Sequence, residues 1–420
     1  MADRDGVEME EDIRNETQEL SRDHRGEDSV SQTRQQLEGG TAARQQLEGG
    51  TAARTAARAV EYWAEFECKG GACRHTCCQG WGISLSMKEY FRLLGMDCSK
   101  ELRRKLDGAF HLVENPTEER YAQITPDWRG DCPMHMENGY CQLQVECGAE
   151  ALSRICRLYP RSPRNRFNCE CACSNSCERT LELLRKRTNP MKIVPLETPV
   201  EMPETTGGRL PELIQRHYIE IRKLCIEEMQ DRTRSLTERV LRLGGILEMV
   251  QTALDTENDE AITEAVEKCR TAPIETDLNA PQLSADFQRM INRELGLDSR
   301  SVGDEAEFAE NLLNEHTFEE IFARFTQKIP DWEVFFEQIM VNHMFYESFP
   351  FSDRRENLKD EFLSLSIVYG YARFLAACSM WNQEGDEALI DACAAAFRLI
   401  DHSAFDWNGL VLYHRYQGKK

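Results

Sequence analysis

Cys68-Lys-Gly-Gly-Ala-Cys73-Arg-His-Thr-Cys77-Cys78-Gln79-Gly80-Trp81 is the stretch on which the reading of this chain turns. Four thiols lie within residues 68–78. Gly70 and Gly71 let the backbone curl, because glycine reaches positive φ without steric cost. Thiolates favour zinc, Cu(I) and iron–sulfur centres. Structural zinc typically shows paired C-x₂₋₄-C knuckles, and an adjacent Cys77-Cys78 pair with long intervals beyond it fits that pattern poorly. An iron–sulfur cluster is the expected occupant, with zinc as the alternative.

Working outward, the thiols continue at Cys132-Pro133, Cys141, Cys147 and Cys156, then crowd into Cys169-Glu-Cys171-Ala-Cys173-Ser-Asn-Ser-Cys177. Thirteen of the 17 cysteines fall between Cys68 and Cys177. The first thirty residues are polar and acid-rich and lack the apolar stretch of a secretory signal, so a cytoplasmic location is expected. There thiols stay reduced, and clustered ones point to a metal or to redox chemistry rather than to disulfides. No run approaches the ~18 apolar residues that cross a bilayer. A formal charge of -22 argues against a nucleic-acid backbone as the main ligand. Cys225, Cys378 and Cys393 lie on helical stripes and read, with Cys98, as small buried hydrophobes. His75 reads as a hydrogen-bonded or solvated side chain rather than a ligand.

The fold class expected is mainly α: a cysteine-rich metal-binding lobe followed by an all-helical C-terminal domain. Residues 1–58 read as a disordered acidic tail. They hold a decapeptide, Gln35-Gln-Leu-Glu-Gly-Gly-Thr-Ala-Ala-Arg44, repeated at 45–54, and two full copies are too few for a solenoid. Residues 59–187 form the cysteine-rich region, with candidate helices at 86–94 and 146–159. A Pro- and Gly-rich linker is expected at 188–208. Residues 209–420 are the helical domain, with Pro211 suited to a first turn. Apolar positions at helical spacing mark 213–229, 236–254, 335–349, 363–380 and 388–400. No alternating run supports a large sheet.

Several motifs together resemble the flagellin lysine-N-methylases, a family of the CxxCxxCC-type metal-binding group. They are Cys68-x₄-Cys73-x₃-Cys77-Cys78-x₂-Trp81, Cys132-Pro133, Gly139-x-Cys141-x-Leu143 and Cys156-x₂-Tyr159-Pro160-Arg161. The likeness continues through Arg222-Lys-Leu-Cys-Ile-Glu-Glu-Met-Gln-Asp-Arg, Leu236-Thr-Glu-Arg-Val-Leu-Arg-Leu-Gly244 and Phe336-Glu-Gln-Ile-Met-Val-Asn342-His343-Met-Phe-Tyr-Glu-Ser-Phe-Pro350-Phe351. The resemblance covers about residues 60–405. It implies transfer of a methyl group from S-adenosylmethionine to lysines of flagellin, by a protein carrying an iron–sulfur cluster of 4Fe-4S type. The implied ligands are Cys68, Cys73, Cys77 and Cys78, with Cys132, Cys141 and Cys156 as further candidates. The crowded run 169–177 departs from the simpler Ser-Cys that the family shows, which Ser176-Cys177 matches. The alternative is a non-catalytic iron–sulfur or zinc protein, a redox sensor or a scaffold.

A lysine amine must lose its proton before it attacks a methyl sulfonium, so the pocket must depress its pKa or supply a base. Glu146, Glu150, Asp131 and Tyr159 are the candidates near the thiols. No Gly-rich strand-turn-helix of the dinucleotide-binding type appears. The arginines at 154, 157, 161, 164 and 166 form a basic stretch, either an anion site or a solvated helix end. Asn342 and His343 interrupt an apolar helix, as cavity-lining groups or as satisfied core residues.

Overall fold

The computed structural model describes residues 57–167, 169–196, 210–352 and 357–418. The decapeptide repeat and most of the expected linker lie outside the described residues. The thiol-rich part begins with β1 (Arg58–Val60), followed by β2 (Ile83–Leu85), α1 (Met87–Leu94), α2 (Lys100–Ala109), β3 (Phe110–Leu112) and β4 (Ala122–Ile124). Next come α3 (Gln142–Cys147), α4 (Arg154–Leu158), β5 (Arg161–Asn165), β6 (Cys169–Cys173), α5 (Glu178–Arg185) and β7 (Ile193–Pro195). Ser86 starts α1 through a capping box with Glu89, in which each side chain takes the other's backbone N–H. The single helix expected at 146–159 is not formed. Gly148 sits at φ 83°, ends α3, and Ser153 then caps the separate α4.

Two small sheets form. β2, β4 and β3 make an antiparallel three-stranded sheet in that order. The other has the order β5-β6-β1-β7, with β1 parallel to β6 and the remaining pairs antiparallel. β7 falls within the stretch expected as linker, and its pairing with β1 stitches it down.

The helical domain follows as α6 (Glu212–Met229), α7 (Leu236–Leu254), α8 (Asp259–Thr271), α9 (Ala285–Ile291), α10 (Gly303–Leu312), α11 (Phe318–Lys328), α12 (Trp332–Tyr346), α13 (Leu358–Ser379), α14 (Gly385–His402) and α15 (Phe405–Gln417). Ser235, Asn258 and Thr317 cap α7, α8 and α11. α13 packs against α7, α10, α14 and α15 and is buried nearly all round. Among the described residues it is the one helix long and apolar enough to cross a membrane, and 89% of its apolar window is buried inside the protein.

Burial groups the side chains into two cores. The smaller lies within residues 83–152 and gathers Ile83, Leu85, Leu93, Leu102, Leu106, Ile124, Met134, Leu143 and a few neighbours. The larger takes in the helices together with β1, β6 and α5. The two middle strands of the four-stranded sheet, β6 and β1, therefore belong to the helical core, while the 83–152 layer has a core of its own.

Candidate thiol centre and the polar network beneath it

The loop 68–79 is laid down by glycines and by one helix. Gly71 has no room for a side chain: a Cβ there would stand 2.6 Å from the Asn138 carbonyl and 2.7 Å from the Tyr140 ring. Gly139, at φ 82°, faces it, and a Cβ there would stand 2.6 Å from the Gly71 carbonyl. This close approach brings the first thiol loop onto the segment 132–141. Backbone pairing completes it. The Cys132 N–H donates to the Cys78 carbonyl at 2.7 Å, Gly80 N–H to Gly130 at 2.9 Å, and Gln142 N–H to Met134 at 2.7 Å. Gln79 Nε2 donates to Asp131 Oδ1 at 2.6 Å.

On the far side, α14 presents Asp391, Arg398 and His402 at spacings of seven and four, one face of a helix. Asp391 takes Arg74 at 2.9 Å and stands 3.5 Å from His75 Nε2. Arg398 donates to the Thr76 carbonyl at 3.0 Å and lies over the Trp81 ring. His402 stacks on Trp81 with centroids 4.0 Å apart. Glu178, buried at the start of α5, accepts from Lys69 Nζ at 2.6 Å and from the His75 N–H at 2.9 Å. The loop is held from both sides.

The seven candidate ligands fall into two neighbourhoods. Cys77, Cys78, Cys132, Cys141 and Cys156 form one neighbourhood, with Cys78 in electrostatic reach of Cys132, Cys141 and Cys156 and Cys77 in reach of Cys78 and Cys156. Cys68 and Cys73 stand beside Cys177, and Cys68 also reaches Cys77. Cys68, Cys77 and Cys156 are open to solvent, while the other four candidates are partly buried. Crowding by protein pushes Cys132 and Cys73 up to about 12 and Cys156 up to about 11, with neighbouring thiols adding to each shift. A hydrogen bond from Cys77 holds Cys78 down at about 7, while Cys77 is raised. So many thiols resist joint ionisation until a cation shares their charge. By donor type and number the five fit a thiophilic metal centre. Among the described residues no three His, Cys, Asp or Glu side chains are already drawn to metal-holding geometry.

Cys225, Cys378 and Cys393 are buried in helices, as small hydrophobes would be. Cys169, Cys171 and Cys173 are buried in β6. None of the 17 cysteines is joined in a disulfide. The basic stretch is tied down internally. Arg161 donates to the Phe66 carbonyl, Arg164 to the Tyr346 carbonyl and Arg166 to the Phe351 carbonyl. Of the base candidates, Glu146 and Glu150 are exposed, Asp131 is bonded to Gln79, and Tyr159 stands 3.0 Å from Ser176 Oγ.

What the sequence did not single out is the buried polar network under this lobe, where Ser174, Asn175 and Ser176 enter between α12 and α14. Asn342 Nδ2 donates to the Cys173 carbonyl at 2.8 Å and to Asn175 Oδ1 at 2.7 Å, and its Oδ1 accepts from the Tyr62 hydroxyl at 2.5 Å. It is a satisfied core residue. Ser174 donates to Asp401 Oδ2 at 2.5 Å, and Ser176 Oγ lies 2.8 Å from His402 Nε2. The polar run Ser174-Asn175-Ser176 in apolar surroundings was the one sequence signal for it.

Fold and site define a mainly helical protein with a thiol-rich loop fastened to α14. Comparison places it further. Residues 222–411 match the family model described as the FliB lysine N-methylase C-terminal domain, so this part of the chain is similar to that domain of the flagellin lysine methylases. It is 32% identical over 99 residues to the lysine-N-methylase of Salmonella typhimurium, covering 23% of this chain and 24% of that protein. It is 31% identical over 97 residues to the flagellar biosynthetic protein FliU of Salmonella muenchen, covering 23% of this chain and 57% of that protein. The matched stretch thus spans about a quarter of the curated lysine-N-methylases. No solved structure matches.

Proposed function

We propose that this protein is a cytoplasmic protein-lysine N-methyltransferase that moves a methyl group from S-adenosylmethionine to lysines of flagellin, and that its thiol lobe carries an iron–sulfur cluster of 4Fe-4S type. The observation that carries the reading is the neighbourhood of Cys77, Cys78, Cys132, Cys141 and Cys156, in one chain with a helical domain that matches the FliB family model. Those five thiols would hold the cluster, with Cys68 and Cys73 at its edge. When bound, the cluster supplies iron able to take the amine and carboxylate of a methionyl group. The chain's own part is to hold the thiol loop against α14, to exclude water under the lobe, and to take the proton that a lysine ammonium sheds. A free-thiol inventory with no disulfide among the described residues suits a reducing compartment.

Two measurements test this. Lysine methylation of flagellin, read by mass spectrometry from cells with and without the gene, must differ; an unchanged pattern rejects the methyltransferase. Iron and sulfide quantified on protein purified without oxygen must be present and must be lost in a Cys77→Ala, Cys78→Ala variant. Colourless, iron-free and folded wild-type protein rejects the cluster.

A further inference from the structure

The network beneath the thiol lobe has a direction. Asp401 is a carboxylate on the last turn of α14 with a fully buried side chain. Its Oδ2 accepts the single proton of Ser174, since an ionised carboxylate is acceptor-only. Ser174 Oγ must then accept from Ser176, with which it is in contact, and the Ser176 N–H also points to it at 3.1 Å. Ser176 has no proton left to give, so it accepts from His402 Nε2–H at 2.8 Å or from the Tyr159 hydroxyl at 3.0 Å. Every hydroxyl is therefore ordered towards Asp401. The outer end is exposed at His402, next to Trp81 and the Cys77-Cys78 loop. The inner end is unfinished. Asp401 Oδ1 and His343 Nδ1 face each other at 3.8 Å, both buried and neither hydrogen-bonded. A buried acceptor left open in a network otherwise satisfied marks a group held ready for a proton.

We propose that Asp401 is the terminal proton acceptor of methyl transfer, reached from the substrate lysine through His402 or Tyr159 and then Ser176 and Ser174. The inference rests on the methyltransferase reading above. The lysine ammonium gives one proton to the outer end of the chain, each hydroxyl passes its own proton inward and receives another, and the Asp401 carboxylate becomes a carboxylic acid. The freed amine forms an N–C bond to the methyl carbon as the S–C bond of the sulfonium breaks, leaving a thioether and a methylated ammonium. Charge is conserved, and the proton returns to solvent along the same hydroxyls. Burial, opposed by His343 and the Ser174 hydrogen bond, lifts Asp401 to about 6, with Glu347 and Asp406 also raising it. Its charged and titratable neighbours are His343, Tyr346 and Glu347 from α12 and its end, Asp406 from α15, His402 from α14 and, beyond Tyr346, Arg164 of β5.

The test is methyl transfer from S-adenosylmethionine to purified unmethylated flagellin by anaerobically prepared full-length protein, as a function of pH. Wild type is expected to lose kcat below about pH 6. Asp401→Asn is expected to lower kcat by roughly 10²–10³-fold, to flatten that acid limb, and to leave both KM values and the iron content unchanged. Ser174→Ala is expected to act likewise, and Ser174→Thr, which keeps the hydroxyl, to restore most of the rate. Wild-type kcat and pH profile in Asp401→Asn, with wild type itself active, overturn the relay alone; an inactive wild type overturns the methyltransferase reading and the relay with it. If Asp401→Asn does not fold, equal kcat in the Ser174→Ala and Ser174→Thr variants overturns the relay.

Discussion

Glu178 is the fastening of the first thiol loop, and its removal is the sharpest perturbation of the candidate centre that leaves every thiol in place. Its side chain has no solvent exposure, and it accepts the Lys69 ammonium at 2.6 Å and the His75 N–H at 2.9 Å. A hydrogen bond to a charged group contributes about 1.5–3 kcal/mol. Lys69 retains Glu182 at 2.8 Å after Glu178→Ala, so only part of its contribution is lost. The sum is about 3 kcal/mol, on the order of 100-fold in the ratio of fastened to open loop. The assay is alkylation of Cys73 in metal-free native protein, followed by peptide mass spectrometry, with buried Cys225 as internal control. In the regime where opening is fast, labelling follows the open population. Glu178 also raises Cys73, so its loss alone speeds thiolate chemistry. Glu178→Gln controls for that, because it removes the same charge and keeps one acceptor. Alanine should label on the order of ten times faster than glutamine. Equal rates in the two variants would show that the loop is held by something else.

Cys78→Ser should remove the iron while Cys225→Ser leaves it, measured as iron and sulfide per chain, because Cys78 neighbours most of the other candidate ligands and Cys225 none of them. Glu337, fully buried, takes Arg239 at 2.7 Å and Arg232 at 2.8 Å. Glu337→Gln leaves buried Arg239 facing an amide and should cost about 3–5 kcal/mol, a fall in Tm of roughly 6–10 °C by calorimetry. Arg232→Ala, at the third-exposed end of the same pair, should cost under about 1 kcal/mol. Asp401 binds its proton more tightly in the folded chain, near 6, than at the ordinary carboxylate value of 3.8. The native state therefore takes up protons between about pH 6 and pH 4, and stability falls as pH rises through that window. Asp401→Asn should be more stable than wild type at pH 7.5, by up to about 3 kcal/mol, with the gap closing below pH 4. Denaturant midpoints at the two pH values measure it, and equal gaps would remove the raised carboxyl from the account.

Local signals carried the helices, and non-local ones hid the rest. The helix expected at 236–254 is α7, Leu236–Leu254, because its apolar rhythm and the Ser235 cap both lie in the sequence. The helix expected at 335–349 begins earlier, at Trp332, whose ring packs on Phe325 and Phe336, and ends at Tyr346. The one expected at 146–159 fails at Gly148, whose left-handed backbone a periodicity count does not register. Strands of three to five residues such as β1 and β7 are too short to show alternation, and they exist because partners far along the chain pair with them. At the site, thiol spacing drew attention to Cys77 and Cys78. Asp401 could not be read that way, since its partner Ser174 is 227 positions distant and an acidic residue ending a helix is ordinary.

The two halves of the site depend on each other through one helix face. The 83–152 layer has a core of twelve buried residues, small for a layer that must hold its own shape. Burial raises Cys132 and Cys156, with neighbouring thiols adding to each shift, so without a cation joint ionisation opposes the arrangement that gathers them. A bound metal reverses that sign, and on the proposed reading metal binding and the ordering of this layer are one equilibrium. The thiol loop 68–81 meets the helical domain at Asp391, Arg398 and His402 of α14, through Arg74, Thr76 and Trp81, and His402 is also the exposed end of the hydroxyl chain to Asp401. Ordering the thiol loop sets Trp81 against His402 and so fixes the ring whose Nε2 feeds Ser176. On the proposed reading, proton acceptance by Asp401 is thereby tied to an ordered thiol loop.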